Sequence, residues 1–503
     1  MIIPAPAGTP VSPPAASATT PRPAVPSRVL LVAGAVVIAL AGMRWNIAAL
    51  AWVAPVPFLL YLSRQEKHGR WLLLAALMVG LNLQVVKIVT APLPLVMAFA
   101  YGVPIALGTW LTLLAYDQVR RHAGEIWGLY AFPALVALGE VAAYRLSEVG
   151  VWGALANTQV ENLALLQLAA LTGLSGVSFV IAWAGSLIAT LLSAREPRRL
   201  IGHAVLFLCV LVLVHGYGSV RLFATQGRSV VVAAVVSDLI PTEAVFARHT
   251  GVRDNTEALF ARSELAADRG ARLVVWNEGA TLVEKSDEPA FIARGAEIAR
   301  RRGIDLVLAY VVPLGLKPLS FENKYVWLDE GGRKLETYFK HHPVPGEGSV
   351  AGTNALRTLS RPYAAAAGAI CYDYDFPAMA LAHAAGGAGL VAVPASDWRG
   401  IDPYHGQMAR VRAIEGGFSL LRPARGATSG AFDAYGRTRA TMPFFEENDR
   451  VMLASVPTER VPTLYARIGD LPALAYAFVL AAAGVAAWRR RTVRSKEEAG
   501  GLT

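Results

Sequence analysis

Long apolar segments dominate this chain and limit what it can fold into. Seven of them precede residue 225 and an eighth follows residue 470, each close to the roughly 20 residues that cross a bilayer as a helix. Apolar residues make up 54% of the chain and charged residues 17%, which is unusual for a purely soluble protein. The sequence therefore predicts a polytopic α-helical membrane bundle. The predicted spans are 28–43, 46–63, 71–90, 92–116, 127–145, 170–193, 202–220 and 471–488.

Basic residues indicate the side of the membrane on which each connection lies. Arg and Lys cluster after the second, fourth, sixth and eighth spans, whereas the alternate connections carry almost none. Because cytoplasmic loops are enriched in Lys and Arg, this asymmetry predicts a multi-pass plasma-membrane protein with both termini in the cytoplasm. An odd number of spans then places segment 228–460 on the extracytoplasmic side. The net charge of +10 is thus assigned to membrane topology and not to nucleic-acid binding.

The composition divides the chain into five parts. Residues 228–460 differ from the rest, because apolar strands such as Val230–Val236 alternate there with charged helices such as 288–302. That alternation is typical of an α/β domain whose sheet is buried on both faces. The predicted parts are a disordered Pro/Ala-rich tail (1–27), a seven-helix membrane domain (28–222), this extracytoplasmic α/β domain (228–460), a C-terminal transmembrane helix (470–488) and a basic cytoplasmic tail (489–503).

Three chemically interesting side chains follow predicted strands of the α/β domain. Glu278 follows the apolar run 273–276, Cys371 follows the run 364–370, and Lys340 ends a third. A buried thiol ionises with difficulty, so it needs a base, for which Glu278 is the candidate. It also needs a cation to stabilise negative charge, for which Lys340 fits. Each residue alone also has an ordinary interpretation, as a small core cysteine, a charge at a helix N-terminus and a solvated lysine.

Together these segments resemble the Glu-Lys-Cys signature of the nitrilase superfamily. The matching pieces are Trp276-Asn277-Glu278, Tyr338-Phe339-Lys340-His341-His342 and Ile370-Cys371-Tyr372-Asp373, and the resemblance covers 228–460. It implies an α-β-β-α sandwich with Glu278 as general base, Lys340 as stabilising cation, Cys371 as nucleophile and Glu347 as accessory carboxylate. We predict that Tyr372 and Trp398 bind substrate or support the residues that do. The pair His341-His342 lacks the partners that a metal site requires, so no metal is predicted.

The placement of this domain between seven spans and an eighth resembles the apolipoprotein N-acyltransferase family. Segments 50–57 and 464–470 match that family's membrane portion as well. The resemblance implies a bacterial inner-membrane enzyme with a periplasmic catalytic domain. It would move an acyl chain from a membrane phospholipid to the N-terminal diacylglyceryl-cysteine of lipoproteins, through a thioester on Cys371. No cofactor is implied, and we predict a monomer in the lipid bilayer.

Two alternatives remain open from the residues. One is a membrane-tethered carbon–nitrogen hydrolase of the amidase or nitrilase type, in which water replaces the amine. The other is a non-catalytic membrane scaffold or lipid-binding protein. The chain also departs from the acyltransferase family pattern at Asn277, at Asp373 and in the loop 395–400, Ala-Ser-Asp-Trp-Arg-Gly, where the family has Asn-Asp-Ala-Trp-Phe-Gly. These departures put the acceptor in question more than the reaction type.

Overall fold

The structure, a computed structural model, describes residues 25–64, 69–225, 227–240 and 243–500. Most of the predicted tail, up to residue 24, lies outside the described residues, as do 65–68 of the first basic loop and 501–503. The N-terminal part is helical. Its helices are α1 (Ser27–Leu40), α2 (Ala48–Ala51), α3 (Val56–Arg64), α4 (Arg70–Val86), α5 (Val96–Ala123), α6 (Glu125–Leu146), α7 (Leu163–Leu166), α8 (Ala169–Thr172), α9 (Leu174–Ser193) and α10 (Ile201–Leu222).

Five helices in the described part of the chain are long and apolar enough to cross a membrane. They are α5, α6, α9, α10 with the short helical turn before it, and the C-terminal helix α17 (Pro472–Gly500). The first three predicted spans correspond to shorter apolar helical segments, Ser27–Leu40, Ala48–Arg64 and Arg70–Val86. Within the second of these segments, a turn containing Pro55, which has no N–H to continue a helix, separates α2 from α3.

Two further boundaries differ from the predicted ones. The sixth span does not run unbroken from 170, because Gly173, with a φ of 69°, separates α8 from α9. A side chain there would lie 2.4 Å from the ring of Tyr465, so the position requires glycine. Helix α17, which contains the eighth predicted span, does not end near 488 but continues to Gly500. The basic segment predicted as a tail is therefore helical over 489–500.

The C-terminal domain contains two six-stranded sheets. The first has the order β14-β1-β2-β3-β4-β5 and the second the order β13-β12-β10-β8-β7-β6, while β9 and β11 form a separate pair. The strands are β1 (Ser229–Val235), β2 (Leu273–Trp276), β3 (Asp305–Leu316), β4 (Leu319–Leu328), β5 (Lys334–Phe339), β6 (Thr358–Ser360), β7 (Ala365–Gly368), β8 (Leu390–Ala392), β9 (Ala395–Ser396), β10 (Ser419–Arg422), β11 (Ala424–Arg425), β12 (Ser429–Phe432), β13 (Thr438–Met442) and β14 (Val451–Pro457).

Helices cover the outer faces of both sheets. Helices α12 and α13 contact the first sheet, and α15, next to α14, contacts the second. Buried residues of the two sheets belong to one hydrophobic core, and all four residues of β2 are buried. The layers are thus helix, sheet, sheet and helix, which confirms the predicted α-β-β-α sandwich attached to a helical bundle. The helices of this part are α11 (Glu243–Arg248), α12 (Val252–Asp268), α13 (Glu288–Arg302), α14 (Pro377–Ala385), α15 (Tyr404–Gly416) and α16 (Tyr465–Ile468).

The α/β domain contacts the helical bundle directly. The indole N–H of Trp152 donates to the Asp375 carboxylate at 2.7 Å, and the Val151 N–H donates to the Asp375 carbonyl at 3.0 Å. Farther along, the N–H of Leu174 at the start of α9 donates to the Glu415 carboxylate at 2.9 Å. These contacts fix the end of the second sheet that carries Cys371 against the membrane helices.

Candidate active site

The Cys371 thiol lies where the chain leaves β7 and enters a short 3₁₀ helix, Cys371–Asp375. Cys371 has a φ of 48°, in the left-handed region that a residue with a side chain rarely adopts and that costs roughly 1–3 kcal/mol. Its N–H donates to the Pro394 carbonyl at 2.8 Å, just beyond the end of β8. The strained turn is therefore held by its neighbour, and strain of this kind concentrates at functional sites.

Asp373, one of the departures from the family pattern, joins the two loops of the site. Its buried carboxylate accepts hydrogen bonds from the Ile370 N–H at 2.9 Å and from the Tyr338 hydroxyl at 2.7 Å. It also accepts one from the His342 N–H at 2.7 Å. The turn that carries the thiol and the segment that carries Lys340 are thereby fixed to one carboxylate.

Lys340 stands between two carboxylates in the interior. Its Nζ lies 2.8 Å from Glu278 Oε1 and 2.7 Å from Glu347 Oε2, and its side chain is 1% exposed. Burial opposes the charge, but Glu278 and Glu347 raise the pKa of Lys340 well above its usual value. Burial acts in the same way against Glu347, yet Lys340 holds the pKa of that carboxyl below its usual range. The Lys340 amine is therefore a buried cation held in place by two carboxylates.

Asn323 completes this group and was missed by the sequence reasoning. Its side-chain amide N–H donates to Glu278 Oε1 at 2.8 Å and to Glu347 Oε1 at 2.9 Å. Asn323 lies in β4, opposite the end of β5, where its carbonyl accepts the Lys340 N–H at 2.9 Å. The only sequence signal was an uncharged polar residue within a buried strand.

The thiol faces charged groups from both sheets. Burial raises the pKa of Cys371 well above its usual value, Glu278 and Asp397 raise it further, and Lys340 lowers it. Sγ lies 3.7 Å from Asp397 Oδ1, to which the thiol donates a hydrogen bond. The sulfur is therefore a neutral thiol at rest and needs a base at the moment of attack. Cys371 thus interacts electrostatically with Glu278 and Lys340, two of the predicted site residues, and with Asp397, a carboxylate that was not predicted.

Asp397 belongs to a buried ionic network that the sequence reasoning also missed. His405 Nδ1 lies 2.8 Å from Asp397 Oδ1, and His405 Nε2 lies 3.1 Å from both oxygens of Asp375. Arg422 donates to Asp397 Oδ2 at 2.9 Å. Burial opposes ionisation of the imidazole, but Asp375 and Asp397 raise the pKa of His405 to about 9. We therefore assign His405 as an imidazolium that donates from both ring nitrogens.

The ligand atoms of Cys371, Asp397 and His405 lie within 4.8 Å of one another, close enough to hold a metal ion. However, the Arg422 guanidinium lies 2.9 Å both from Asp397 Oδ2 and from His405 Nδ1. A fixed cation thus faces two of the three ligands that a metal would need. The arrangement fits a hydrogen-bonded ionic network better than a metal centre.

We expect the protein to lose thermal stability as the pH rises through about 9, the pKa of His405 in the fold. A histidine in an unfolded chain has a pKa of about 6.5, so the raised value contributes stability that is complete below that pH and disappears above 9. Melting temperatures of the wild type and of His405→Gln, measured from pH 7 to 10, check this. Their difference should shrink toward pH 10, and a difference that stays constant would contradict the imidazolium assignment.

An apolar cavity leads from the thiol into the membrane domain. Its empty space is about 870 Å³, a figure that includes the open solvent at its mouth. Membrane-domain residues such as Val85 on α4 and Tyr101 and Ile105 on α5 form one part of the wall. Cys371, Asp397 and His405 of the α/β domain line the same cavity.

Tyr372 and Trp398, predicted to bind substrate or support the residues that do, both line this cavity. Each also contacts the membrane domain, since the Tyr372 hydroxyl donates to the Glu148 carbonyl at 2.5 Å and the Trp398 indole N–H donates to the Ile88 carbonyl at 2.7 Å. The altered loop 395–400 therefore belongs to the junction. Its first two residues form β9, which pairs with β11.

Two family models match the chain. The apolipoprotein N-acyltransferase N-terminal domain matches residues 34–187, and the carbon-nitrogen hydrolase family matches residues 234–464. A protein of Geobacter metallireducens named apolipoprotein N-acyltransferase is 28% identical over 93% of this chain and 97% of its own. One of the same name from Bradyrhizobium diazoefficiens is 30% identical over 68% of this chain and 70% of its own. Among solved structures, an amidase from Nesterenkonia sp. is 23% identical, covers 51% of this chain and 98% of its own, and has a TM-score of 0.40.

Proposed function

Because the chain belongs to the apolipoprotein N-acyltransferase family, we propose that it transfers an acyl chain from a membrane phospholipid to the N-terminal diacylglyceryl-cysteine of lipoproteins through a thioester on Cys371. It is an acyltransferase and not a carbon–nitrogen hydrolase of the amidase type. The proposal assigns Glu278 as general base, Lys340 as oxyanion-stabilising cation and Glu347 as the carboxylate that holds Lys340.

The observation that carries this proposal is the shared wall of the cavity. One apolar space is lined both by membrane helices and by the Cys371 thiol. An acyl chain is costly to remove from a bilayer, at about 0.8 kcal/mol per methylene. A cavity that joins the helices to the nucleophile lets the chain stay in apolar surroundings while its ester carbonyl reaches the sulfur.

In the first half-reaction Glu278 takes the thiol proton as Sγ attacks the ester carbonyl carbon. Negative charge develops on the carbonyl oxygen, and Lys340, already ionised and buried, stabilises it. The bond between the carbonyl carbon and the glycerol oxygen then breaks. Glu278 returns the proton to that oxygen, so that a lysophospholipid leaves and the acyl chain remains on Cys371 as a thioester.

In the second half-reaction the free α-amine of the lipoprotein attacks the thioester carbon. The carbon–sulfur bond breaks, the sulfur regains a proton and the product is an amide. The substrates are therefore a phospholipid and a lipoprotein, both held at the bilayer. The charge asymmetry of the loops supports an inner-membrane location with a periplasmic catalytic domain and cytoplasmic termini, and a monomer suffices because the proposed residues come from one chain.

The test is an assay in which the purified protein receives a phospholipid of defined acyl chain and a diacylglyceryl-cysteine peptide. We expect N-acylated peptide and lysophospholipid in equal amounts. Release of free fatty acid without acylated peptide would favour a hydrolase, and no reaction in an intact protein would favour a scaffold. Complementation of a strain that lacks its own N-acyltransferase is the corresponding test in cells.

We expect an Ile105→Trp variant to discriminate against long acyl chains, because the indole is larger than the isoleucine side chain and narrows the cavity on its membrane side. Excluding about two methylenes, at about 0.8 kcal/mol each, should lower kcat/KM for a long-chain donor about tenfold. The measurement compares long- and short-chain phospholipids. Ile126→Trp, at an exposed position of α6, is the matched control. An equal decrease in kcat/KM for both chain lengths would show that Ile105 does not contact the acyl chain.

A further inference from the structure

Asp397 is placed at the reacting atom but has no part in the mechanism above. Its side chain is buried, and its Oδ1 accepts the hydrogen bond of the Cys371 thiol at 3.7 Å. It lines the same cavity as the thiol, together with His405. Asp397 is also one of the residues in which the loop 395–400 departs from the family pattern. A second carboxylate at the nucleophile requires a chemical reason.

The surroundings of Asp397 keep it ionised and immobile. Arg422 donates to both of its oxygens, at 2.9 and 3.1 Å, and His405 donates at 2.8 Å. Burial opposes the charge, but Arg422 and His405 lower the pKa of the Asp397 carboxyl below its usual range. Asp397 is therefore a weak base. It is suited to accept hydrogen bonds and to stabilise positive charge, not to remove the thiol proton.

Formation of the thioester changes what Asp397 can bind. The S–H group that donates to Oδ1 in the free enzyme no longer exists once the sulfur carries the acyl chain. Oδ1 then loses one donor while His405 and Arg422 remain, so this negatively charged oxygen can accept another hydrogen bond about one hydrogen-bond length from the acylated sulfur. Resting on the function proposed above, we infer that Asp397 receives the α-amine of the acceptor and stabilises the positive charge that develops on its nitrogen during attack on the thioester.

The neutral amine nitrogen attacks the thioester carbon, and the carbonyl electron pair moves to oxygen, near Lys340. The nitrogen now carries a positive charge and donates a hydrogen bond to Asp397. When the carbon–sulfur bond breaks, its electron pair stays on sulfur, and the nitrogen loses one proton to that sulfur. The amide leaves, and the restored thiol again donates to Asp397.

This assignment separates the two half-reactions by residue. In acylation Lys340 stabilises the oxyanion and Glu278 moves the proton. Asp397 acts only after the acceptor amine has bound. His405 and Asp375 are positioning residues that hold Asp397. Because the amine nitrogen becomes positively charged during attack and Asp397 is a fixed, buried carboxylate, Asp397 promotes transfer of the acyl chain to the amine.

The test follows the two half-reactions separately in an Asp397→Asn variant of the full chain. Lysophospholipid released in a burst without acceptor reports acylation, and N-acylated peptide formed from the preloaded thioester reports transfer. We expect a burst within about twofold of the wild type and a transfer rate lowered at least about tenfold, the size of a lost charge-assisted hydrogen bond. More of the thioester should end as free fatty acid. Asp254→Asn, on the exposed surface of α12, is the matched control.

Each other outcome contradicts either the inference or the proposed function. A normal burst with normal transfer overturns the inference and leaves the proposed function intact, whereas a wild type without burst or amide product overturns the proposed function itself. If Asp397→Asn unfolds because Arg422 loses its partner, the double variant Asp397→Asn/Arg422→Gln removes both charges and takes its place. A folded single or double variant that lacks the burst assigns Asp397 to acylation and contradicts the inference.

Discussion

A Cys371→Ala variant should release no lysophospholipid and form no N-acylated peptide. The reason is that both half-reactions pass through the sulfur, so removal of the thiol removes the nucleophile of the first and the leaving group of the second. We expect a loss of at least about a thousandfold, the scale on which removal of a covalent nucleophile acts. Cys371 is buried and itself has the strained backbone conformation, which agrees with a central role in the site.

The chain provides its own control for this experiment. Cys209, the other cysteine, lies exposed on α10, far along the chain from the site residues. Cys209→Ala should keep wild-type activity, and both variants should melt as the wild type does. Acylated peptide formed at a normal rate by Cys371→Ala would remove the thioester from the mechanism.

The second large effect is expected for Glu278→Gln. This change keeps the shape of the side chain and its hydrogen bond from Asn323, but it removes the proton acceptor. Because Lys340 retains Glu347 at 2.7 Å, the site should remain folded. General-base catalysis contributes about 10²–10⁴-fold, so the burst rate should fall by about that factor. The residual rate should rise with pH, since hydroxide must then remove a proton from a thiol whose pKa is raised by burial.

Glu446→Gln, at an exposed position before β14, is the matched control for this variant. The burst rate is measured for both proteins between pH 6 and 10. A Glu278→Gln enzyme with an unchanged burst would show that another group takes the thiol proton. In that case Asp397, the nearest hydrogen-bond acceptor of the thiol, would have to be reconsidered as the base.

The sequence could predict where Glu278, Lys340 and Cys371 stand, because each comes just after a strand of the α/β domain. Glu278 follows β2, Lys340 follows β5 and Cys371 follows β7. Apolar strand patterns are read easily from a sequence, and residues that end neighbouring strands meet at one edge of a sandwich. Glu278 and Lys340 follow strands of one sheet and Cys371 follows a strand of the other. Only the family resemblance, and no periodicity in the sequence, indicated that these positions belong together.

The network around Asp397 could not be predicted in the same way. Its members stand on a loop, a 3₁₀ turn, the first turn of α15 and the end of β10, and no spacing in the sequence connects Asp375 with His405. Their association depends on tertiary packing. The helical part shows a related limit, because hydropathy detected the second apolar segment but could not show the turn that separates α2 from α3 within it.

The most direct test of the account is mass spectrometry of the protein after incubation with a phospholipid of known acyl chain and no acceptor. We predict a mass increase of one acyl group, located on the peptide that contains Cys371, which disappears as N-acylated product forms when a diacylglyceryl-cysteine peptide is added. An enzyme that acylates the peptide while Cys371 stays unmodified at every time point would contradict the thioester mechanism and the site built around it.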